Sequence, residues 1–273
     1  MTHATTMSAT LRLHVLVLLA VLAAPTWLVG DDFATPVLTV PPLDSGHRLF
    51  AQVLKDVVRP DGVDYARLRA DHSTLDQYRA QLAATTMPTD RNERLALLIN
   101  AYNAFTLALV AEKLPADRSA WAGWSIKDAG GLVTSVWKLY TFELAGSRVT
   151  LDALEHAQLR PLGEPRIHFA INCASKSCPA LAATPYTAPG LDAQFETAAR
   201  SFTTNANQVR ASSDGVRLNP ILTWFAEDFT TSGGVRSFLL QRAPDGATKT
   251  SLEGSKPLNF FPYDWTLNVS TSP

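Results

Sequence analysis

The segment 95–110 constrains the fold most, because it is apolar on almost every side. Asp90 is a good N-cap residue and Glu93 occupies the capping-box position, so a helix should begin here and run to about Leu114. A helix that is apolar nearly all round is stable only where the rest of the domain covers it. The sequence therefore predicts a fold organised around one buried central helix.

Shorter elements surround this helix in the predicted fold. Helical periodicity is found in four further segments, 47–58, 66–83, 150–160 and 191–205. Strand-like runs are found at 136–144, 148–151 and 167–171. Because helices come first and strands mixed with helices follow, we expect an α+β fold. In it, the buried central helix and flanking helices pack on a mixed, mainly antiparallel sheet. Residues 47–269 are expected to form a single domain.

The N-terminus resembles a secretory signal peptide. Residues 13–24 form an apolar run after a polar start that includes Arg12, which matches an h-region in length and flanks. An uncleaved anchor is the alternative, because the apolar run continues to Val29 and spanning a membrane takes roughly 17 to 25 residues. We expect residues 1–30 to be a signal peptide or N-terminal anchor and residues 31–46 to be a Pro-rich linker or arm. The protein is then expected to be secreted or periplasmic.

The balance of charges limits the classes of partner. The 24 basic and 25 acidic residues give a formal net charge of −1, which provides no electrostatic basis for binding nucleic acid or an anionic membrane. We expect a peptide, glycan or protein ligand. Membrane contact is expected only through the N-terminal segment, where that segment stays uncleaved. No cofactor is expected.

The reactive side chains are concentrated in residues 166–181, which contain His168, Cys173 and Cys178. Two cysteines in an exported protein favour a disulfide, with His168 as a hydrogen-bonded core or cleft residue. In a second interpretation one cysteine is a nucleophile and His168 is its base. On a straight strand His168 and Cys173 would face opposite sides, so this arrangement requires a bend at Asn172.

A metal site and a simple binding loop are further interpretations of the same stretch. Zinc would be bound by His168 and both cysteines, with Glu155 or His156 as the fourth ligand. Without a metal, Glu155 and His156 could form an acid/base pair, but we expect them on an exposed helical face. A binding loop would instead offer three donors to a ligand, Ser175, Lys176 and Ser177.

Two polar residues inside the central helix, Asn100 and Asn103, share one face because they are three residues apart. Buried amides are commonly structural, and these two would then hydrogen-bond neighbouring loops. In the functional interpretation they, or Asp228, orient a catalytic imidazole or a substrate. The sequence leaves both roles open.

Aromatic residues near the end of the chain suggest another kind of contact. Trp224 and the later tryptophan and tyrosine residues pack in a core, or line a cleft where they stack on a sugar or peptide. Residues 263–265 are so close to the C-terminus that we expect them to be ordered only where they dock, as an edge strand does.

Five motifs follow one another along the chain: Asp64-Tyr65, residues 99–104 (INAYNA), residues 167–179 (IHFAINCASKSCP), Trp224 with Asp228-Phe229, and residues 263–268 (YDWTLN). Together they resemble the DUF547 family. The resemblance extends over about residues 45–269. The family is defined by sequence, so the resemblance implies no established activity.

A distant similarity to papain-like and transglutaminase-like thiol enzymes is an analogy of element order. Their nucleophilic cysteine opens the central helix, whereas this helix contains Asn100 and Asn103 and no cysteine. Two alternative functions are therefore expected. One is amide or acyl-group chemistry at a site built from His168, Cys173 and Asn100 or Asn103. The other is a non-catalytic envelope domain that binds a peptide, glycan or partner protein through the same cleft.

Overall fold

The computed structural model describes residues 39–272. The expected signal peptide or anchor, 1–30, and the first part of the expected linker lie outside the described residues. The end of that linker is held against the domain, because the Gln81 side chain donates to the carbonyls of Pro41 and Pro42.

Helices make up most of the regular structure in the described residues. The α-helices are α1 (Arg48–Val57), α2 (Tyr65–Ala70), α3 (Ser73–Ala84), α4 (Arg91–Lys113), α5 (Val136–Leu139), α6 (Leu151–Ala153), α7 (Leu191–Thr204), α8 (Ile221–Trp224), α9 (Gly234–Leu240) and α10 (Ala247–Glu253). A π-helix, Leu154–Leu159, continues α6. 3₁₀ turns are found at Arg118–Gly123, Ile126–Ala129, Arg160–Leu162, Pro165–Phe169 and Ala226–Ser232.

The strands form three small sheets. They are β1 (Val58–Arg59), β2 (Gly62–Val63), β3 (Phe142–Leu144), β4 (Ser147–Val149), β5 (Val209–Ser212), β6 (Gly215–Leu218) and β7 (Leu258–Phe260). The pairs β1–β2, β3–β4 and β5–β6 are antiparallel, whereas β6 and β7 are parallel with Val216 opposite Leu258. The predicted α+β class with mainly antiparallel pairing is confirmed.

The predicted central helix is α4. The side chain of Asp90 accepts hydrogen bonds from the backbone N–H groups of Asn92 and Glu93, which satisfies two donors that the first turn leaves free. Every residue from 95 to 110 is buried. Among the described residues α4 is long and apolar enough to cross a membrane, but 89% of its apolar window is buried inside the protein. Burial of that kind is typical of a core helix.

Two predicted elements have different boundaries in the structure. The first half of the predicted strand 136–144 is instead α5, because the Ser135 carbonyl accepts two backbone N–H groups of that turn. The strand begins only at Phe142. The predicted helix over 66–83 is divided into α2 and α3, because the side chain of Asp71 accepts the first N–H of α3.

The prediction of a strand over 167–171 is wrong, although these residues are buried as expected. They begin in the 3₁₀ turn Pro165–Phe169. Pro165 fixes a helical φ at the first position of the turn, and the side chain of Glu164 accepts the backbone N–H of Arg166. These local constraints outweigh the strand preference of the isoleucines.

Two hydrophobic clusters meet next to His168. The larger cluster surrounds α4 and includes Ile167, whereas the smaller one packs β5 and β6 against α7 and α9 and includes Phe169. Because the neighbours of His168 enter different clusters, the 3₁₀ turn places the imidazole at the boundary between them. The position is well buried, since His168 is 2% exposed.

Residues 263–270, called the C-terminal segment below, dock against the rest of the domain. Three β-bridges tie this segment to separate parts of the chain, Val63 with Val269, Ser125 with Thr266, and Ser175 with Leu267. The segment is thus held by docking, as its position in the chain required. Its bridge to Ser175 brings the end of the chain next to the cysteines.

Candidate active site

One cavity collects the reactive side chains. It has a volume of about 210 Å³, and its lining includes Glu155, His168, Cys173, Cys178, Trp224 and Tyr263. A larger cavity of about 480 Å³ lies between residues 179–186 and α7, and its lining contains no cysteine, histidine or carboxylate. Nucleophilic or acid–base chemistry therefore belongs to the smaller cavity.

Cys173 lies in a sharp turn that follows the 3₁₀ turn of His168. Ala174 has φ 62°, a left-handed conformation that is uncommon for a residue with a side chain. The Asn172 side chain accepts the backbone N–H of Ala174 at 2.9 Å and holds this turn. The turn supplies the bend that brings the thiol and the imidazole to the same cavity.

Two hydroxyls and a thiol surround the Cys173 sulfur. Sγ lies 3.2 Å from the Ser175 hydroxyl and 3.3 Å from the Tyr263 hydroxyl. A hydrogen bond from the Cys178 thiol contributes most to lowering the pKa of Cys173; burial opposes the effect, and the two hydroxyls add to it. Hydrogen bonds to the charged form of a group favour that form. Cys173 is therefore poised to ionise.

Both cysteines are free thiols, so the expected disulfide is not formed in this structure. The backbone N–H of Cys173 donates to Cys178 Sγ at 2.9 Å. Burial raises the pKa of the Cys178 thiol well above its usual range. Cys178 therefore keeps its proton and acts as a donor, while Cys173 carries the charge.

His168 is held in a single orientation. Nε2 lies 2.7 Å from Asp228 Oδ2, and the ring stacks on Phe225 with 4.0 Å between centroids. Burial lowers the pKa of His168 to about 4, although Asp228 opposes this, so the ring is neutral near pH 7. Among the described residues Nδ1 has no hydrogen-bond partner. A buried acceptor without a partner is rare and costly, and this one belongs to a residue of the cavity wall.

Asp228 orients the imidazole and is itself fixed by Arg160. Arg160 Nε and Nη2 donate to the two carboxylate oxygens at 2.7 and 2.8 Å. Burial acts to raise the pKa of Asp228, but the hydrogen bonds from Arg160 and His168 outweigh it and lower that pKa. An ionised carboxylate only accepts hydrogen bonds. The proton of His168 is therefore on Nε2, and Nδ1 is left as a base.

Glu155 is the third ionisable group beside the thiol. Its Oε1 lies 3.9 Å from His168 Nδ1, which is too long for a hydrogen bond. Burial and the charge of Cys173 raise the pKa of Glu155 to about 7, so the carboxyl is protonated about half the time near neutral pH. The prediction that Glu155 is exposed is wrong, whereas His156 is exposed as expected.

The amides of Asn100 and Asn103 pair with backbone and do not line the cavity. Asn100 bonds the carbonyl and N–H of Tyr186 at 2.8 and 2.9 Å. Asn103 bonds the Ala170 carbonyl at 3.0 Å and the Asn172 N–H at 2.8 Å. Both contacts are structural, and those of Asn103 position the backbone that leads to Cys173.

The predicted ligand contacts are divided between the cavity and the surface. Ser175 is buried, and its hydroxyl donates to the Tyr263 hydroxyl at 3.0 Å. Lys176 is exposed and outside the cavity, with only its backbone N–H paired, to the Thr266 carbonyl. Trp224 is 47% exposed, and its ring lies 4.8 Å from that of Tyr263 on the cavity wall.

The described side chains do not have the geometry of the expected zinc site. No three or more His, Cys, Asp or Glu side chains in the described part of the chain are arranged to hold a metal ion. His156, one of the suggested ligands, lies beside Arg160 instead, with 3.1 Å between Nδ1 and Nη1.

Three residues of the site were not predicted in the roles proposed here: Glu155 was considered only as a zinc ligand or as half of an acid/base pair, Tyr263 only as one of the late aromatic residues, and Arg160 not at all. Glu155 and Tyr263 had a sequence signal, because the first adjoins a histidine and the second opens the last motif. Arg160 had none, since its partner Asp228 is 68 residues away.

Comparison with known proteins finds a family model that matches part of the chain. Residues 86–203 match the family model described as a protein of unknown function, DUF547. That segment contains α4, Glu155, His168 and both cysteines, whereas Asp228 and Tyr263 lie outside it. No curated protein and no solved structure matches the chain.

Proposed function

Residues 86–203 belong to the DUF547 family, and from that premise we propose that the chain is a thiol-dependent enzyme that transfers or hydrolyses acyl groups at Cys173. One observation carries the proposal. The Cys173 sulfur is surrounded by hydroxyl and thiol donors in a cavity that also contains Glu155 and His168. Thiolate, proton donor and base are the groups that acyl transfer to sulfur requires.

The first half-reaction uses Cys173 and Glu155. The thiolate attacks the carbonyl carbon of an ester, thioester or amide, and a carbon–sulfur bond forms. As the tetrahedral intermediate collapses, the bond to the leaving group breaks, and that group takes the proton of Glu155. The raised pKa of Glu155 keeps the proton available near pH 7, which is the condition for efficient general acid catalysis.

The second half-reaction uses His168. A water molecule, or another nucleophile, attacks the acyl-Cys173 thioester and passes its proton to Nδ1. The carbon–sulfur bond breaks, Cys173 leaves as the thiolate, and the proton on Nδ1 returns to the Glu155 carboxylate, whose Oε1 lies 3.9 Å away. His168 suits this role because Nδ1 is unpaired and Asp228 stabilises the imidazolium as it forms.

The chain order of the site differs from that of papain-like enzymes. There the nucleophile opens the central helix, whereas the thiol proposed here follows the histidine in a turn. The likeness lies in the pairing of a cysteine with a histidine, and not in their positions along the chain or in the orienting group, which is an asparagine in papain-like proteases. A carboxylate, Asp228, acts as orienter in place of the two α4 asparagines.

We propose that the domain works in a secreted or periplasmic location, where residues 1–30 direct it. Its substrate would then be a peptide, glycan or protein of that compartment. A non-catalytic binding domain is the second candidate, favoured by the 47% exposure of Trp224 at the cavity wall. Exposed tryptophan beside tyrosine is suited to stacking on a sugar or peptide.

The test uses p-nitrophenyl acetate as the acyl donor and intact mass spectrometry as the readout. The enzyme should release nitrophenol in a burst and carry one acetyl group on Cys173. Cys173→Ala should show neither the burst nor the adduct, and His168→Gln should acquire the adduct but lose it more slowly. Denatured protein provides the rate of ordinary thiols. An acetylation rate in the folded protein no higher than that control refutes catalysis and leaves the binding function.

A further inference from the structure

The C-terminal segment supplies a side chain to the site from outside the matched family region. Tyr263 follows Cys173 by 90 residues, and its hydroxyl lies 3.3 Å from Cys173 Sγ. We infer that Tyr263 is a catalytic residue whose hydroxyl donates a hydrogen bond to the Cys173 thiolate. This inference rests on the proposed function and assigns the donor that keeps its nucleophile charged.

The Ser175 hydroxyl determines in which direction the Tyr263 hydroxyl donates. Ser175 Oγ lies 3.0 Å from the Tyr263 hydroxyl and donates to it. Each hydroxyl has one proton, so Tyr263, once it accepts from Ser175, directs its own proton to the sulfur. The two hydroxyls form a short chain that ends at Cys173. Such a chain strengthens the final hydrogen bond, because each donor polarises the next.

Towards the Cys173 thiolate, the Tyr263 hydroxyl can act only as a hydrogen-bond donor. Burial, followed by the charge of the Cys173 thiolate, raises the pKa of Tyr263 far above its usual range. The phenol therefore stays protonated near neutral pH. Hydrogen bonds from a neutral donor to an ionised acceptor are among the stronger ones in proteins.

Docking fixes both the backbone next to Tyr263 and the Tyr263 ring. The next residue, Asp264, exchanges two hydrogen bonds with Ser177, through its N–H at 2.9 Å and its carbonyl at 3.2 Å. The carboxylate of Asp264 also accepts from the N–H and the hydroxyl of Thr266. The ring of Tyr263 packs on Trp265, with 4.4 Å between centroids. The hydroxyl thus has a defined position relative to the sulfur.

The chain offers a matched control for removing this hydroxyl. Tyr65 donates to the Asn268 side chain at 2.9 Å, so it binds the same C-terminal segment without a hydrogen bond to sulfur. Tyr263→Phe and Tyr65→Phe each delete one hydroxyl; the first loses the bond to the sulfur and the bond accepted from Ser175, and the second loses the bond to Asn268. Only the first deletes a donor to the thiolate. Ser175→Ala removes the other member of the chain.

The experiment measures the rate at which iodoacetamide alkylates Cys173 as a function of pH, by mass spectrometry. Iodoacetamide is neutral, so nearby charges do not steer it. Tyr263→Phe should raise the apparent thiol pKa by about one unit, which slows alkylation about tenfold below that pKa. Ser175→Ala should shift it in the same direction, and Tyr65→Phe should follow the wild type. Melting curves establish that all three variants are folded.

Two results overturn the inference and leave the proposed function standing. In one, the wild type has a low thiol pKa and Tyr263→Phe has the same profile. In the other, Tyr263→Phe and Tyr65→Phe shift the profile equally, so that docking of the segment, and not the hydroxyl, is responsible. A wild-type Cys173 that titrates like a free thiol overturns the proposed function itself.

Discussion

The two asparagines of α4 allow a paired test of how the site is supported. Asn103→Ala removes a carboxamide that is 2% exposed and that bonds the Ala170 carbonyl and the Asn172 N–H. Asn100→Ala removes a fully buried carboxamide with two equivalent bonds to Tyr186. The two changes match in chemistry, in burial and in the number of bonds lost. They differ in which segment is released.

The expected loss of stability follows from the backbone groups left unpaired. Each buried group that loses its partner costs about 1–3 kcal/mol, so two of them cost about 4 kcal/mol in either variant. For a protein of this size a loss of 1 kcal/mol lowers Tm by about 2–4 °C. Both variants should therefore melt about 8–16 °C below the wild type, as measured by circular dichroism.

The reactivity of Cys173 should separate the two variants. Asn103 holds residues 170–172, so its loss frees the turn that places the thiol among its donors. Alkylation of Cys173 by iodoacetamide should then slow in Asn103→Ala and stay at the wild-type rate in Asn100→Ala. A Tm for Asn103→Ala within 2 °C of the wild type would refute the stated role of these bonds. Equal alkylation rates in the two folded variants would refute the specific link to Cys173.

Two further predictions concern the ionisable groups. Asp228→Asn removes the charge that stabilises the His168 imidazolium, so acetyl-Cys173 should be hydrolysed roughly 10²- to 10⁴-fold more slowly. Unchanged hydrolysis would contradict the role of His168 as the base. The pKa of Glu155 is about 7 in the folded protein and about 4.5 in the unfolded chain. Protonated Glu155 therefore adds to the free energy of unfolding below about pH 4.5, and this contribution is lost as the pH rises through 7. The unfolding free energy of Glu155→Gln relative to wild type should therefore increase by about 3 kcal/mol from pH 4.5 to 8, whereas a constant difference in urea titrations would mean that the carboxyl is solvated.

The central helix could be predicted because its signals are local. An aspartate before a long apolar run determines both the start of α4 and its burial, and no distant residue is needed to interpret them. The class of fold followed from the order of such segments. Residues 167–171 were harder, because a proline and a glutamate just before them impose a turn that the alternating apolar pattern does not reveal.

The composition of the site could be predicted only in part. His168 and Cys173 were found because they are five residues apart, and Asp228 was named as one of three orienters. Glu155 was assigned to the wrong side of its helix, because the π-helical turn Leu154–Leu159 changes the spacing at which side chains share a face. The contact between Tyr263 and Cys173 joins residues 90 apart, and no periodicity within one element encodes it.

The docking of the C-terminal segment also bears on how the protein is made. A ribosome synthesises the thiol, the imidazole and the whole of residues 86–203 long before it adds Tyr263. Until residues 263–270 emerge, the growing chain contains a cysteine that lacks one of its donors, and no bridge joins Ser175 to Leu267. The full set of hydrogen-bond donors to Cys173 therefore exists only after residues 263–270 have been made and have docked.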